Sequence, residues 1–283
     1  MESLIILRYQ REDLDQISHL VRENDSFVSL ITGDIYQVHQ YLLPSELKNF
    51  TAILDRNLYT RVTALVRGDA IKPHASDDHR WAAAVMAFCH IAGITFQSGS
   101  SLQEYASFKG GHAALSDFDC FRRADNCDPK ALIDFALGRT ESIDLSSVDD
   151  LLRPISTPTA STLEEPIYEF RLNYILALKI ALLSLDQVNP GKSMLQFIDW
   201  MDKDFILTAP AFQFANLLFS PSRMKGMLRA GSLKHIRNVA WDLALVQHWR
   251  RCALKGNETQ QPVLLITNPA IGKNLSGCIG SGA

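Results

Sequence analysis

Three acids in this chain stand at corresponding places relative to apolar runs. Asp55 follows directly on FTAIL at 50–54, with Asn57 two residues further on. Glu104 follows ITFQ at 94–97, in the first turn of the helix that Ser101-Leu102-Gln103-Glu104 opens. Asp242 lies near the start of the helix that precedes the apolar run 262–267. Carboxylates are hard oxygen donors, and an open parallel sheet gathers chemistry outside the carboxyl ends of its strands. Each acid also has a plainer reading. Asp55 suits a helix N-cap, Ser101 and Glu104 match a capping box, and Asp242 is a favourable charge near a positive helix end. Three acids at matching positions carry more weight than any one of them.

Other chemistry-bearing residues fit poorly. Gly191-Lys192-Ser193 lacks the upstream Gly of a P-loop, since Asp186 stands there, and it follows a helix rather than a strand. His74, Asp77, Asp78 and His79 suit a solvated helix start, and His112, Asp117 and Asp119 form a similarly loose group. Cys89, Cys120, Cys127, Cys252 and Cys278 contain no CxxC pair and fit no zinc module, and reduced thiols are the simplest reading. Trp241 and Trp249, eight apart, belong on one buried helix face.

The elements that position the acids follow from periodicity. FTAIL is rich in strand formers, and Leu58, Val62, Leu65 and Val66 then recur at helical spacing. Residues 77–92 make an apolar helix ended by Gly93, and 94–97 a second, buried strand. Residues 3–8 suggest a short strand, and 11–43 a broken helix. Loops are expected in 109–165, at Gly110-Gly111, the acidic run Asp117 to Asp128, and 154–162. Helices are expected over 166–188, 193–207 and 238–255, and a strand over 262–267. Strands at 50, 94 and 262 with helices between them predict an α/β fold with a central parallel sheet. Their apolar runs predict adjacent, parallel strands.

At 283 residues, 47% hydrophobic and 21% charged, the chain has the composition of a folded protein. Its net charge of −3 excludes a global basic field, so nucleic acid would need a local patch. One is available: Arg223, Lys225, Arg229, Lys234, His235 and Arg237 precede Asp242. The start MESLIILRYQRED lacks a basic leader, and the uncharged apolar run Trp81 to Phe96 is short for a bilayer. A cytoplasmic protein without a membrane span is expected.

The segments FTAILDRN (50–57), GITFQSGSSLQEY (93–105), RNVAWDLALV (237–246) and PVLLITN (262–268) together resemble the PIN-domain nucleases. The resemblance implies a three-layer α/β/α fold with a helical insertion. The PIN-like core would comprise 48–108 and 233–275, the insertion 109–232, and an N-terminal extension 1–47, all in one domain over 1–283. It also implies a metal-dependent ribonuclease, in a toxin, RNA-processing or defence role. Asp55, Glu104 and Asp242 would be the catalytic acids and ligands of Mg²⁺ or Mn²⁺, with Asn268 a further ligand and Asn57 and Thr267 in support. Arg56, Arg229, Lys234 and Arg237 would contact RNA. A protein partner such as an antitoxin, or a homo-oligomer, would accompany that role. The family's final acid is Pro269 here. That departure suggests a second reading: a degenerate PIN-like module that binds RNA or a protein partner without cutting.

Overall fold

The computed structural model describes residues 9–29, 35–41, 50–67, 77–145, 148, 158–185, 189–219, 232–259 and 261–267. The protein is mostly helical, with one small mixed sheet. It forms two compact units, one drawn from Met1–Glu165 and Ala253–Ser276, the other from Pro166–Cys252. Residues 109–165, assigned to an insertion by the resemblance, thus belong to the first unit, and 233–252 to the second.

The first unit begins with α1 (Arg11–Glu23) and β1 (Phe27–Val28). Then come β2 (Thr51–Leu54), α2 (Arg56–Arg67), α3 (Asp77–Ile91), β3 (Thr95–Gln97) and α4 (Gly99–Lys109). The helices α5 (Gly111–Asp125), α6 (Pro129–Ala136) and α7 (Ala160–Glu164) follow. The second unit carries α8 (Tyr168–Leu185), α9 (Pro190–Asp204), α10 (Ala209–Phe219) and most of α11 (Leu233–Glu258), whose last turns lead back to β4 (Val263–Ile266) in the first.

The sheet order is β1-β4-β2-β3. β2 pairs in parallel with β4, Thr51 opposite Val263 and Leu54 opposite Ile266. It also pairs in parallel with β3, Thr51 opposite Thr95. The three apolar runs are therefore adjacent and parallel, as their sequence predicts. Two features differ. Phe27–Val28, expected as broken helix, joins β4 antiparallel and makes the sheet mixed. β3, expected to be buried, is the opposite edge strand, with Thr95 and Gln97 exposed. Among the described residues, only β2 and β4 have neighbours on both sides, and their Ala52, Ile53, Leu54, Leu264, Leu265 and Ile266 are fully enclosed. The strand suggested at 3–8 lies outside the described residues.

Helices replace the loops expected in much of 109–165. Gly110 has φ +88°, which a residue with a Cβ rarely adopts, and it lets α4 turn directly into α5. A Cβ on Gly111 would overlap the Ala160 carbonyl, so glycine is needed where α7 lies against α5. The acidic run is helical because Ala114, Phe121 and Ala124 recur at helical spacing and bury together. Its innermost acid, Asp117, is ion-paired with Arg67 at the end of α2. Residues 154–157 lie outside the described residues.

α3 is buried around its whole circumference from Trp81 to Cys89, and packs on α1 and α6. Gly93, with φ +68°, closes its end, the Ile94 N–H donating to the Cys89 carbonyl at 2.9 Å. The second unit has its own core, which includes Leu176, Ile180, Phe197, Met201, Phe214 and Ile236. Trp241 and Trp249 are buried, as their spacing predicts. Among the described residues no helix is long and apolar enough to cross a membrane.

Candidate functional site

Because β2, β3 and β4 run in parallel, their carboxyl ends share one edge of the sheet in the first unit. Asp55 sits at that edge, 2% exposed, where β2 passes without an intervening turn into α2. Its backbone N–H donates to the Ile266 carbonyl at 2.8 Å, extending the β2–β4 ladder by one bond. Its side chain accepts on two sides. The Asn57 backbone N–H donates to Oδ1 at 3.1 Å, which makes Asp55 an N-cap of α2. The Asn57 amide donates to Oδ2 at 3.2 Å. From 212 positions away in sequence, the Thr267 hydroxyl donates to Oδ2 at 3.0 Å. Asn57 and Thr267 therefore both orient Asp55. The capping role is real, but it accounts for only part of this environment.

Glu104, 5% exposed, lies on α4, the helix that follows β3. The capping box expected from Ser101 does not form. α4 begins at Gly99, and the Ser101 hydroxyl donates to the Leu54 carbonyl at the end of β2. Glu104 is paired instead with Arg56, Nη1 to Oε1 at 3.2 Å. The Arg56 guanidinium also lies 4.7 Å over the ring of Phe108, one turn beyond Glu104 on α4. Arg56 is thus committed to an acid and an aromatic face rather than to Asp55, its chain neighbour.

The remaining sequence candidates fall elsewhere. Asp242 is half-buried in the second unit, the tenth residue of α11 counted from Leu233, so it stands too far from the helix start for the dipole reading. Lys234 is exposed and Arg237 half-buried in the first turns of α11. Arg229, Asn268 and Pro269 lie outside the described residues, as do Arg223, Lys225, His74 and Cys278. Burial, and then nearby Arg61, hold the His79 imidazole below its ordinary value, and Asp78 pairs with Arg61 at 2.7 Å. Burial pushes the Cys127 thiol up to about 11 and that of Cys89 well above its ordinary value, which suits packing rather than nucleophilic attack.

Sequence reasoning misses Ser101 and Phe108 as parts of this edge. Ser101 is hidden by its match to a capping motif. Phe108 carries a weak signal, its one-turn spacing from Glu104. Asp55 and Glu104 are donors of the right chemistry for Mg²⁺ or Mn²⁺. They do not make a complete set. Among the described residues, no group of three or more His, Cys, Asp or Glu side chains could hold a metal ion. Comparison with family models, with curated proteins and with solved structures finds no match to this chain.

Proposed function

We propose that the chain is a PIN-like protein, three-layered around its parallel strands, and a metal-dependent ribonuclease acting on RNA phosphodiester bonds. One observation carries this reading. A buried carboxylate at the end of β2 is held by a hydroxyl from the end of β4, with a second buried carboxylate on the helix after β3. Carboxylates that served only as helix caps would not need this enclosure. Asp242, which the resemblance also implies, belongs to the second unit. Asp55 and Glu104 would hold Mg²⁺ or Mn²⁺, which when bound neutralises charge on the phosphate oxygens and lowers the pKa of the attacking water. The chain's own residues orient and anchor. Asn57 and Thr267 fix the Asp55 carboxylate, and Ser101 ties α4 to the end of β2.

Incubation of the purified chain with single-stranded and structured RNA tests the reading. Cleavage with Mn²⁺ that disappears with EDTA is expected, and its absence on both substrates would overturn it. A specific observation favours the second reading, a PIN-like module that binds RNA or a protein partner without cutting. Glu104 already has a counter-charge in Arg56, and the described acids do not complete a metal group. RNA binding without EDTA-sensitive cleavage is the result that selects it.

A further inference from the structure

We infer that Cys252 is a site of thiol exchange with low-molecular-weight disulfides, set up by a chain of side chains across α8 and α11 in the second unit. Glu169 on α8 is 4% exposed, and among the described residues its Oε2 has no hydrogen-bond partner. Its Oε1 accepts from Arg251 Nη2 on α11 at 2.8 Å. The same nitrogen lies 3.2 Å from Nδ1 of His248. On the other side of the ring, Nε2 lies 3.8 Å from Cys252 Sγ, one turn further along α11. Asn173, one turn after Glu169, donates to Gln247 Oε1 at 2.7 Å and ties the two helices together beside this chain.

The donors fix the proton positions. A guanidinium only donates, so Nδ1 accepts from Arg251. Glu169 Oε1, 3.8 Å from Nδ1, is too distant to take a proton from it. Burial, opposed by Glu169, holds the His248 imidazole below its ordinary value, which favours the neutral ring. A neutral ring that accepts at Nδ1 carries its proton on Nε2 and points it at the sulfur. An N–H aimed at sulfur favours the thiolate, the nucleophilic form. Cys252 is half-buried and not disulfide-bonded, so a small reagent can reach it. Arg250 and Arg251, both exposed on the same turn, favour a disulfide that carries carboxylates. The exchange balances without an outside electron carrier. Cys252 gives its proton to water, and its thiolate attacks one sulfur of the disulfide. The new S–S bond forms as the old one breaks. The departing half leaves as a thiolate and takes up a proton, so Cys252 is oxidised and that half reduced.

The test treats the purified chain with glutathione disulfide and follows the mixed disulfide at Cys252 by peptide mass spectrometry. Wild type should react on the order of tenfold faster than His248→Phe, which lacks the N–H. His248→Gln restores a donor near the place of Nε2 and should recover most of the rate. Arg251 is a positioning residue, and its removal has a separate readout. The ring ¹⁵N shifts of His248 should show the proton on Nε2 in wild type and shared between the two nitrogens in Arg251→Met, with a slower reaction. Arg251 is 60% exposed, so this variant also serves if His248→Phe does not fold. Equal rates in wild type and the variants, or a wild-type ring protonated on Nδ1, would overturn the inference. Alkylation of Cys252 by iodoacetamide with no glutathione adduct would overturn the disulfide as its reagent.

Discussion

Thr267 and Asp55 are joined across the candidate site by a buried hydrogen bond, and each tests the other. Thr267→Val keeps the shape of the side chain and removes the hydroxyl that donates to Asp55 Oδ2. A buried carboxylate that loses a donor is destabilised by about 1.5–3 kcal/mol. The urea midpoint of Thr267→Val should fall accordingly, and an unchanged midpoint would show that the hydroxyl contributes nothing. The Asp55–Asn57 pairing was legible from a spacing of two residues after a strand. The Asp55–Thr267 bond was legible only through the motif that matches Thr267, because local pattern says nothing about residues 212 apart. The Arg56–Glu104 pair was not legible. Arg56 follows one acid and folds onto another, and only the placement of α4 decides between them.

At the scale of elements, α1 is fastened to the end of α6 by charge. Asp13, buried on α1, pairs with Arg139 just beyond α6, and Arg139 also binds Asp134 at 3.1 Å. The Arg139 guanidinium holds the Asp13 carboxyl below its ordinary value near 3.8. A depressed carboxylate contributes stability above its unfolded value, and that contribution is lost as pH falls through the folded value. Asp13→Asn should therefore be less stable than wild type at neutral pH, and the gap in urea midpoints should close as pH drops below about 4. A gap that stays constant as the pH falls well below that value would assign the loss to packing rather than charge. Periodicity predicted α2, α3 and the three parallel strands well, since each is defined by its own apolar residues. It failed for α5, whose acidic residues look loop-like until Arg67 neutralises Asp117. It failed for β1, whose two residues are strand only because β4 lies beside them.

At the scale of the molecule, the two units divide the sequence differently from the motif order. The resemblance runs through Asp242, while α11 belongs mainly to the second unit and β4 to the first. Short motifs report local strand and helix ends, and they do not report which core a long helix joins. The central claim concerns Asp55, and replacement by Asn tests it most directly. Asn is as good an N-cap as Asp, so the capping contribution to α2 should survive within a few tenths of a kcal/mol. The variant removes one negative charge, and with it a hard ligand. RNA cleavage by wild type and Asp55→Asn, measured with Mn²⁺ beside their thermal melts, should show activity lost from a variant that still folds, its melting temperature lowered because only one acceptor oxygen remains for the Asn57 and Thr267 donors. Cleavage by Asp55→Asn at the wild-type rate would contradict the account and leave Asp55 as a cap alone.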